Sequence, residues 1–154
     1  MSAAVKSDPR ITIINTTYTP DEIIGLMNVC DVFLSLHRSE GIGLSIAQSM
    51  LLGKPVIATN YSGNTDFTRS DNSCLVDYKL IGVKKGEYPY SKGQVWADPN
   101  LDQATSYMRR LVEDDTYRNT VAEAGRLYIR TNHNSEAVGR KYKSRFVELG
   151  LLDG

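Results

Sequence analysis

The chain has 154 residues, with 18 Lys and Arg against 18 Asp and Glu, and two cysteines. This length predicts a single domain over residues 1–154 with a real core. The balanced charge argues against general attraction to nucleic acid or anionic lipid. Cys30 and Cys74 lie in apolar runs without metal-ligand neighbours, which predicts buried thiols, no metal ion and no cofactor. With no signal peptide and no apolar run long enough to span a bilayer, the sequence predicts a cytoplasmic protein.

Strands and helices alternate in the first half of the sequence. Thr19 as N-cap, Pro20 at the first helical position and Glu22 as the partner of a capping box predict a helix that runs to about Cys30. A second helix is predicted over residues 44–52, ended by Gly53. The predicted strands cover residues 11–15, 32–36, 55–59 and 73–76. This alternation predicts an α/β fold, Rossmann-like and three-layered, with a short parallel sheet of about four strands.

The second half of the sequence has a different character. Residues 79–97 mix Gly, Tyr, Lys and Pro without a period, which predicts a long loop that orders over a site. Residues 98–150 are predicted to form a tail of three helices that packs on the sheet, with Asp98-Pro99 capping the first and Ser135 the third. In the third helix, an apolar stripe recurs at helical spacing, formed by Val138, Tyr142, Phe146 and Leu149.

An acidic residue and two glycines separate the apolar run 32–36 from the helix that follows it. A strand, a glycine turn and a helix are how α/β proteins present backbone N–H groups to a phosphate. The carboxylate of Glu40, just before Gly41 and Gly43, would repel a phosphate unless it faces an uncharged group such as a sugar hydroxyl. This combination predicts a nucleotide-sugar site.

From about residue 9 to about residue 124, the chain resembles the group 1 (family 4) glycosyltransferases, which have the GT-B fold. The motif of that family reads E-G-F-G-L-x-x-x-E-A-M-A-x-G-x-P-V-I-A-T. This chain carries the corresponding residues in register over 40–44, 48–50 and 53–59, and a matching polar turn over 62–66. The resemblance implies the donor-binding half of an enzyme that binds a nucleoside diphosphate sugar and transfers a hexosyl group with retention. It implies no metal ion.

The resemblance also implies roles for individual residues. Glu40 would be the catalytic-site carboxylate that accepts hydrogen bonds from donor-sugar hydroxyls near the bond being broken. Gln48 occupies the place of the family's second glutamate, which binds the ribose hydroxyls. The remaining donor-binding positions are His37, Arg38, Gly41, Ile42, Gly43, Leu44, Gly63 and Asn64.

The sequence departs from the family pattern in two ways, and these departures leave alternatives to the glycosyltransferase assignment open. An amide at Gln48 binds a diol less strongly than a carboxylate does. The acceptor domain, the first two strands of the donor domain and their basic diphosphate contacts have no counterpart in the sequence. We therefore expect a missing acceptor domain or partner chain, self-association, and a strand at 11–15 that pairs directly with the strand at 32–36. The alternatives are a non-catalytic nucleotide-sugar binding or interaction module, and a truncated glycosyltransferase remnant.

Overall fold

The computed structural model describes residues 8–153, and these residues form helices, a three-stranded sheet and a two-stranded hairpin. A short 3-10 helix, Ser62–Asp66, lies between the second and third strands. The helices are α1 (Pro20–Val29), α2 (Leu44–Leu51), α3 (Leu101–Glu113), α4 (Asp115–Asn132) and α5 (Ser135–Glu148). The strands are β1 (Phe33–Ser35), β2 (Val56–Thr59), β3 (Cys74–Val76), β4 (Tyr78–Gly82) and β5 (Val95–Pro99).

The first three strands form a parallel sheet in the order β1-β2-β3. Leu34 pairs with Ile57 in the first ladder, and Ala58 pairs with Leu75 in the second. Helix α2 is the crossover that joins β1 to β2, as parallel pairing requires. The predicted Rossmann-like α/β fold is thereby confirmed, with three parallel strands in place of about four.

The core lies on both faces of β2, which is buried along its whole length. Successive residues of a strand point to opposite faces. Val56 and Ala58 accordingly pack with Ile46 and Met50 of α2, while Ile57 packs with residues of α3 on the other face. A layer of helix on each face of the sheet therefore encloses the central strand.

The two helices predicted from terminal signals form where the signals place them. Thr19 caps α1 through a complete capping box with Glu22, and the backbone N–H of Thr19 donates to the Glu22 carboxylate at 2.7 Å. Helix α2 ends at Leu51, and Gly53 takes a φ of 74° there. The N–H of Gly53 donates to Met50 O, and that of Lys54 to Ser49 O, which are the two bonds of a Schellman ending.

The predicted strand at residues 11–15 is wrong. These residues have no strand pairing, and Ile11, Ile13 and Ile14 are each about half exposed. The predicted pairing of this segment with β1 is therefore also wrong. Within residues 8–153, β1 has a single neighbour, β2, and its other edge is open. A run of β-branched residues favours an extended chain but does not supply the partner strand that a sheet needs.

The segment at residues 79–97 is not the continuous loop that the sequence predicted. Strands β4 and β5 occupy its two ends and pair antiparallel, with Leu80 opposite Ala97. The connection between them, residues 83–94, is long and contains Gly86 and Gly93 at positive φ. We call residues 78–99 the hairpin. Its anchor to the domain lies at its base, where Tyr61 and Tyr78 pack with ring centroids 4.9 Å apart.

The three C-terminal helices form as predicted, but they do not all pack on the sheet. Helix α3 contacts β2 and β3, α4 packs mainly against α2, and α5 packs mainly against α4. The predicted apolar stripe of α5 is therefore largely exposed, from Tyr142 to Leu149. The N-caps are Asn100 and Asn134, not the predicted Asp98-Pro99 and Ser135.

The two cysteines differ, although both were predicted to be buried. Cys74 is fully buried, and burial raises the pKa of its thiol, whereas Cys30 is exposed at the end of α1. Cys30 follows the last turn of an amphipathic helix whose residues all remain at least partly exposed. Within residues 8–153, no helix combines the length and apolar character needed to cross a membrane.

Candidate functional site

The candidate site lies where the chain leaves the carboxyl ends of β1 and β2. The loop 36–43 leads from β1 into α2, and residues 60–66 follow β2. The carboxyl ends of neighbouring parallel strands meet at one edge of a sheet. The topology therefore brings together two segments, one containing Glu40 and the other containing Gly63, that are far apart in the sequence.

The backbone of Glu40 is held on both sides by the turn that follows β2. Its N–H donates to Ser62 Oγ at 2.7 Å, and its carbonyl accepts from the N–H of Gly63 at 3.2 Å. Ser62 has a φ of 66°, the left-handed region that non-glycine residues rarely adopt. The hydroxyl that accepts the hydrogen bond from the Glu40 N–H thus belongs to a residue with a strained backbone. The backbone that carries the Glu40 carboxylate is held in a fixed position by these two hydrogen bonds.

Gly63 lies directly against the glycine of the acid–glycine motif. A Cβ placed on Gly63 would lie 2.0 Å from Gly41 O and 2.9 Å from Ile42 N. No side chain fits at such distances, so only glycine permits this approach. The predicted importance of Gly63 for the site therefore has a geometric basis, namely contact between two backbones.

His37 and Asn64 are brought together, and their polar atoms are used within the fold. Asn64 is fully buried, and its Nδ2 donates to Thr59 O at 3.0 Å and to Thr68 Oγ1 at 3.1 Å. Its Oδ1 lies 3.0 Å from His37 Nε2. Both donors and the carbonyl oxygen of the side-chain amide therefore have partners within the fold. Asn64 thus stabilises the turn that forms the site and leaves no side-chain polar atom free for a ligand.

The histidine tautomer follows from this arrangement. His37 Nε2 also lies 3.1 Å from the carbonyl of Tyr61. Because both neighbours of Nε2 are acceptors, we assign the ring proton to Nε2. Nδ1 then accepts from Ser35 Oγ at 3.2 Å. His37 thus connects the end of β1 to the turn after β2.

The start of α2 leaves backbone donors free for a ligand. Gly43 is the N-cap, with a φ of 81° and no side chain that could accept from the first turn. The first N–H groups of a helix have no partner inside it. Ile42 and Leu44, on either side of the cap, are exposed. Gly43 itself is buried, so the exposed part of the predicted anion-binding position lies at residues 42, 44 and 45.

A cleft of about 640 Å³ lies between the Glu40 loop and the hairpin. Strand β5 is bonded to that loop, because the N–H of Ala97 donates to Arg38 O at 2.9 Å. Arg38 lies over the Trp96 ring, 4.8 Å from its centroid, and its guanidinium lies 3.4 Å from Asp98. We call this space the hairpin cleft; it is lined by residues 38–41, 83, 88–90 and 94–96.

Gln48 lies apart from the hairpin cleft. It is exposed in the second turn of α2, on the same helix whose first turn carries Leu44. Helical side chains tilt toward the N-terminus, so its amide lies on the side of the helix start. The structure therefore does not bring the predicted ribose contact, Gln48, into the cleft that the predicted sugar contact, Glu40, lines.

No metal-binding group accompanies these residues in the part of the chain that the structure describes. Residues 8–153 contain no cluster of three or more His, Cys, Asp or Glu side chains placed to hold an ion. The absence of a metal requirement stays a prediction from the resemblance.

Four residues near the site were not predicted from the sequence. Ser62 belongs to the predicted polar turn, but its contact with Glu40 was not predicted, because that contact arises from the approach of two loops. Tyr88, Tyr90 and Trp96 lie in the segment that was predicted to be a loop. The short apolar run Val95-Trp96-Ala97, with a β-branched and an aromatic residue, is typical of a strand, and this signal could have identified β5.

Comparisons with known proteins place this geometry in a family. A family model described as "Glycosyl transferases group 1" matches residues 3–128. A comparison with curated protein sequences found no match. Among solved structures, the chain is similar to the C-terminal domain of the glycosyl transferase group 1 family protein LpcC of Francisella tularensis. The TM-score is 0.59 at 20% identity, covering 79% of this chain and 53% of that one.

The chain is also similar to HepE of Anabaena, solved with UDP and with UDP and glucose. The TM-scores are 0.55 and 0.56, both at 20% identity, and the match covers 80% and 82% of this chain. It covers 29% and 30% of HepE, so the chain spans about half or less of the length of these structures. At this identity the likeness shows the fold, and the family model shows the family. The chain belongs to the group 1 glycosyltransferases.

Proposed function

We propose that this chain binds a nucleoside diphosphate sugar in the cytoplasm and supplies the donor site for retaining hexosyl transfer. The observation that carries the proposal is the fixed position of Glu40. Its peptide is hydrogen-bonded at both N–H and carbonyl by Ser62 and Gly63, directly before a helix start with unused donors. Catalysis by positioning needs such a preorganised group. The solved relative HepE with bound UDP and glucose supports the ligand class.

We assign the diphosphate to the start of α2. The backbone of Gly41, Ile42, Gly43 and Leu44 presents N–H groups there, and the helix dipole favours negative charge at that end. The bond that breaks joins the anomeric carbon to the diphosphate, which leaves with the bonding electron pair. Stabilising that developing charge is the contribution expected of the helix start.

The side chains divide into those that contact the donor and those that hold the site. Glu40 accepts hydrogen bonds from the donor-sugar hydroxyls, Gln48 binds the ribose, and Arg38 borders the sugar. The second group, which holds the site in place without contacting the donor, consists of His37, Gly63 and Asn64, because their hydrogen bonds are to other residues of the fold. The amide of Gln48 binds a diol less strongly than a carboxylate does, so we expect weak binding, with a dissociation constant on the order of millimolar.

Backbone amide signals provide the test of donor binding. We expect UDP-glucose, GDP-mannose or ADP-glucose to perturb the amide resonances of residues 41–45 in the isotope-labelled chain, because the free N–H groups lie there. The amides of α5 serve as an internal control, since α5 packs mainly against α4 and lies outside the site. Perturbation elsewhere with residues 41–45 unchanged would contradict the assignment.

Two variants separate the sugar contact from the ribose contact. Glu40→Gln should reduce the preference for a nucleotide sugar over the bare nucleotide, because Glu40 is assigned to the sugar. Gln48→Glu should raise the affinity for the nucleotide sugar and for the bare nucleotide about equally, since a carboxylate accepts from both hydroxyls of the ribose diol. An unchanged or weaker affinity in Gln48→Glu would show that the ribose assignment is wrong.

The second candidate function is a non-catalytic nucleotide-sugar binding module. Gln48, which stands where the family has a glutamate, favours this function. Slow donor hydrolysis by the isolated chain would favour the enzyme, whereas binding without any turnover, alone or with an acceptor-domain partner, would favour the module.

A further inference from the structure

The hairpin cleft extends well beyond Glu40. Glu40 and Gly41 lie at one wall, and residues of the hairpin form the opposite wall. Its volume of about 640 Å³ falls within the range of about 300–1,000 Å³ that is typical of pockets for complete small molecules. One hexosyl ring held at Glu40 would leave much of this space empty.

The hairpin wall is aromatic and unusually open to solvent. Tyr88 is 66% exposed and Tyr90 is 95% exposed, while Pro89 between them also lines the cleft. Tyr90 has a φ of 55°, a strained backbone for a residue with a large side chain. Aromatic faces carry negative charge density and pack against C–H groups. Exposed rings of this kind are typical of surfaces that bind a ligand.

The charges in the cleft favour a neutral ligand. Arg38 is the single cation among the lining residues, and it is already engaged by Asp98 and by the Trp96 ring. The Glu40 carboxylate has no hydrogen-bond partner within residues 8–153. A phosphate is therefore poorly matched to this cleft, whereas hydroxyl groups suit both the carboxylate and the amide of Gln94.

Trp96 adds an unused donor. Its Nε1 is buried and has no hydrogen-bond acceptor among the residues that the structure describes. Buried donors of this type are uncommon because they lose their bonds to water. Trp96 also lines the cleft, so a donor without a partner lies in the wall of the cleft.

We propose that the hairpin cleft holds a pyranose ring of the acceptor, packed on Tyr88 and Tyr90, beside the donor sugar at Glu40. This rests on the proposed function, because the acceptor ring is defined by its position next to the donor. It assigns to the donor half of the protein a share of acceptor binding. The hairpin then contributes to acceptor choice as well as closing the site.

The chain carries a built-in reporter for this cleft, since Trp96 is its single tryptophan. We expect Trp96 fluorescence to change when methyl glucoside, methyl galactoside or methyl mannoside is titrated into the chain, and to change further when UDP is present at saturation. Binding of UDP is followed separately through the amides of residues 41–45. The two ligands should bind together and not exclude each other.

Substitutions in the hairpin provide matched controls. Tyr90→Ala should weaken binding of the responding glycoside by about fivefold, the factor that corresponds to ~1 kcal/mol of aromatic packing. Tyr90→Phe should retain binding, because it keeps the ring. Tyr142→Ala removes a tyrosine of α5 that is 62% exposed and lies outside the hairpin cleft, and it should leave glycoside binding unchanged. UDP affinity should be unchanged in all three variants.

The outcomes separate this proposal from the proposed function. UDP binding without any response to the three glycosides would overturn the acceptor subsite and leave donor binding intact. Glycoside binding that UDP-glucose displaces but UDP does not would mean that the cleft holds the donor sugar, which also overturns the proposal. Failure of UDP and of every nucleotide sugar to bind would overturn the proposed function itself.

Discussion

Gly63 is the residue on which the position of Glu40 depends most directly. Its N–H holds the Glu40 carbonyl, and its missing side chain lets the Gly41 backbone approach. A methyl group at this position would have to push the two loops apart, because the nearest atoms belong to backbone and cannot rotate away. Stability and ligand binding should therefore change together there.

We predict that Gly63→Ala destabilises the chain by about 3 kcal/mol, the upper part of the usual range for overpacking. It should also remove the amide perturbations that nucleotide sugars cause at residues 41–45. Urea unfolding measures the first effect, and amide titration measures the second.

Gly25 provides the control for this variant. A Cβ on Gly25, in the middle of α1, would meet nothing within 4 Å. Gly25→Ala should stabilise the chain by about 0.5–1 kcal/mol, because alanine is the better helix former. If Gly63→Ala proved as stable as the unmodified chain, the close approach of the two loops would be wrong.

Among the secondary-structure elements, those with strong local signals were the ones that the sequence predicted well. The capping box at Thr19 and the glycine at residue 53 are local features, so α1 and α2 form where expected. Strand formation needs a partner, and residues 11–15 have none within the described chain. The hairpin was missed because its turn is long and lacks the two-residue signature of a tight turn.

The candidate site divides in the same way. The acid and glycines of residues 40–43 are contiguous, so a donor-binding role could be predicted for them from the sequence alone, and that role stays a prediction. The contributions of Ser62 and of the hairpin depend on topology, because they come from segments that only the fold brings to Glu40. The sequence could nominate site residues in each segment, but it could not give the contacts by which the fold joins the segments.

The junction between α4 and α5 contains a histidine, His133, whose protonation should affect stability. His133 lies against Phe67 and Tyr128, with ring centroids 5.9 and 5.8 Å away. Burial lowers the pKa of His133, nearby Lys141 lowers it further, and Asp66 opposes both. The folded chain therefore favours the neutral ring.

This direction fixes the sign of a pH effect. Because the folded pKa lies below the unfolded value of 6.5, the stabilisation is complete above that value and is lost as the pH falls through the folded pKa. We predict that the unmodified chain loses more stability than His133→Gln between about pH 7.5 and about pH 5.5, as linkage requires. Urea midpoints at the two pH values measure this, and equal losses in both chains would contradict it.

At the scale of the whole molecule, the described chain leaves considerable apolar surface uncovered. One edge of β1 is open, and the stripe on α5 is exposed from Tyr142 to Leu149. Open strand edges pair readily with other strands. We therefore keep self-association, or a companion domain, as the expected state of this chain, with light scattering as the direct measurement.

Because Cys30 is exposed, its thiol can be labelled chemically near the open edge of β1. Cys30 lies in a small apolar pocket with Phe33 and Leu34 of β1, whereas Cys74 is fully buried. A maleimide should therefore add once to the native chain and twice after unfolding, as intact mass would report, and Cys30→Ser should leave the native chain unlabelled. Two adducts on the native chain would contradict the burial of Cys74.

Labelling of Cys30 then reports on whatever covers β1. A strand or a second copy placed along that edge would shield the thiol and slow its modification as the concentration of the covering partner rises. The same sulfur atom can carry a fluorophore for measuring that association. An accessible thiol beside the open edge of β1 thus makes occupancy of that edge measurable as a reaction rate, without any engineered residue.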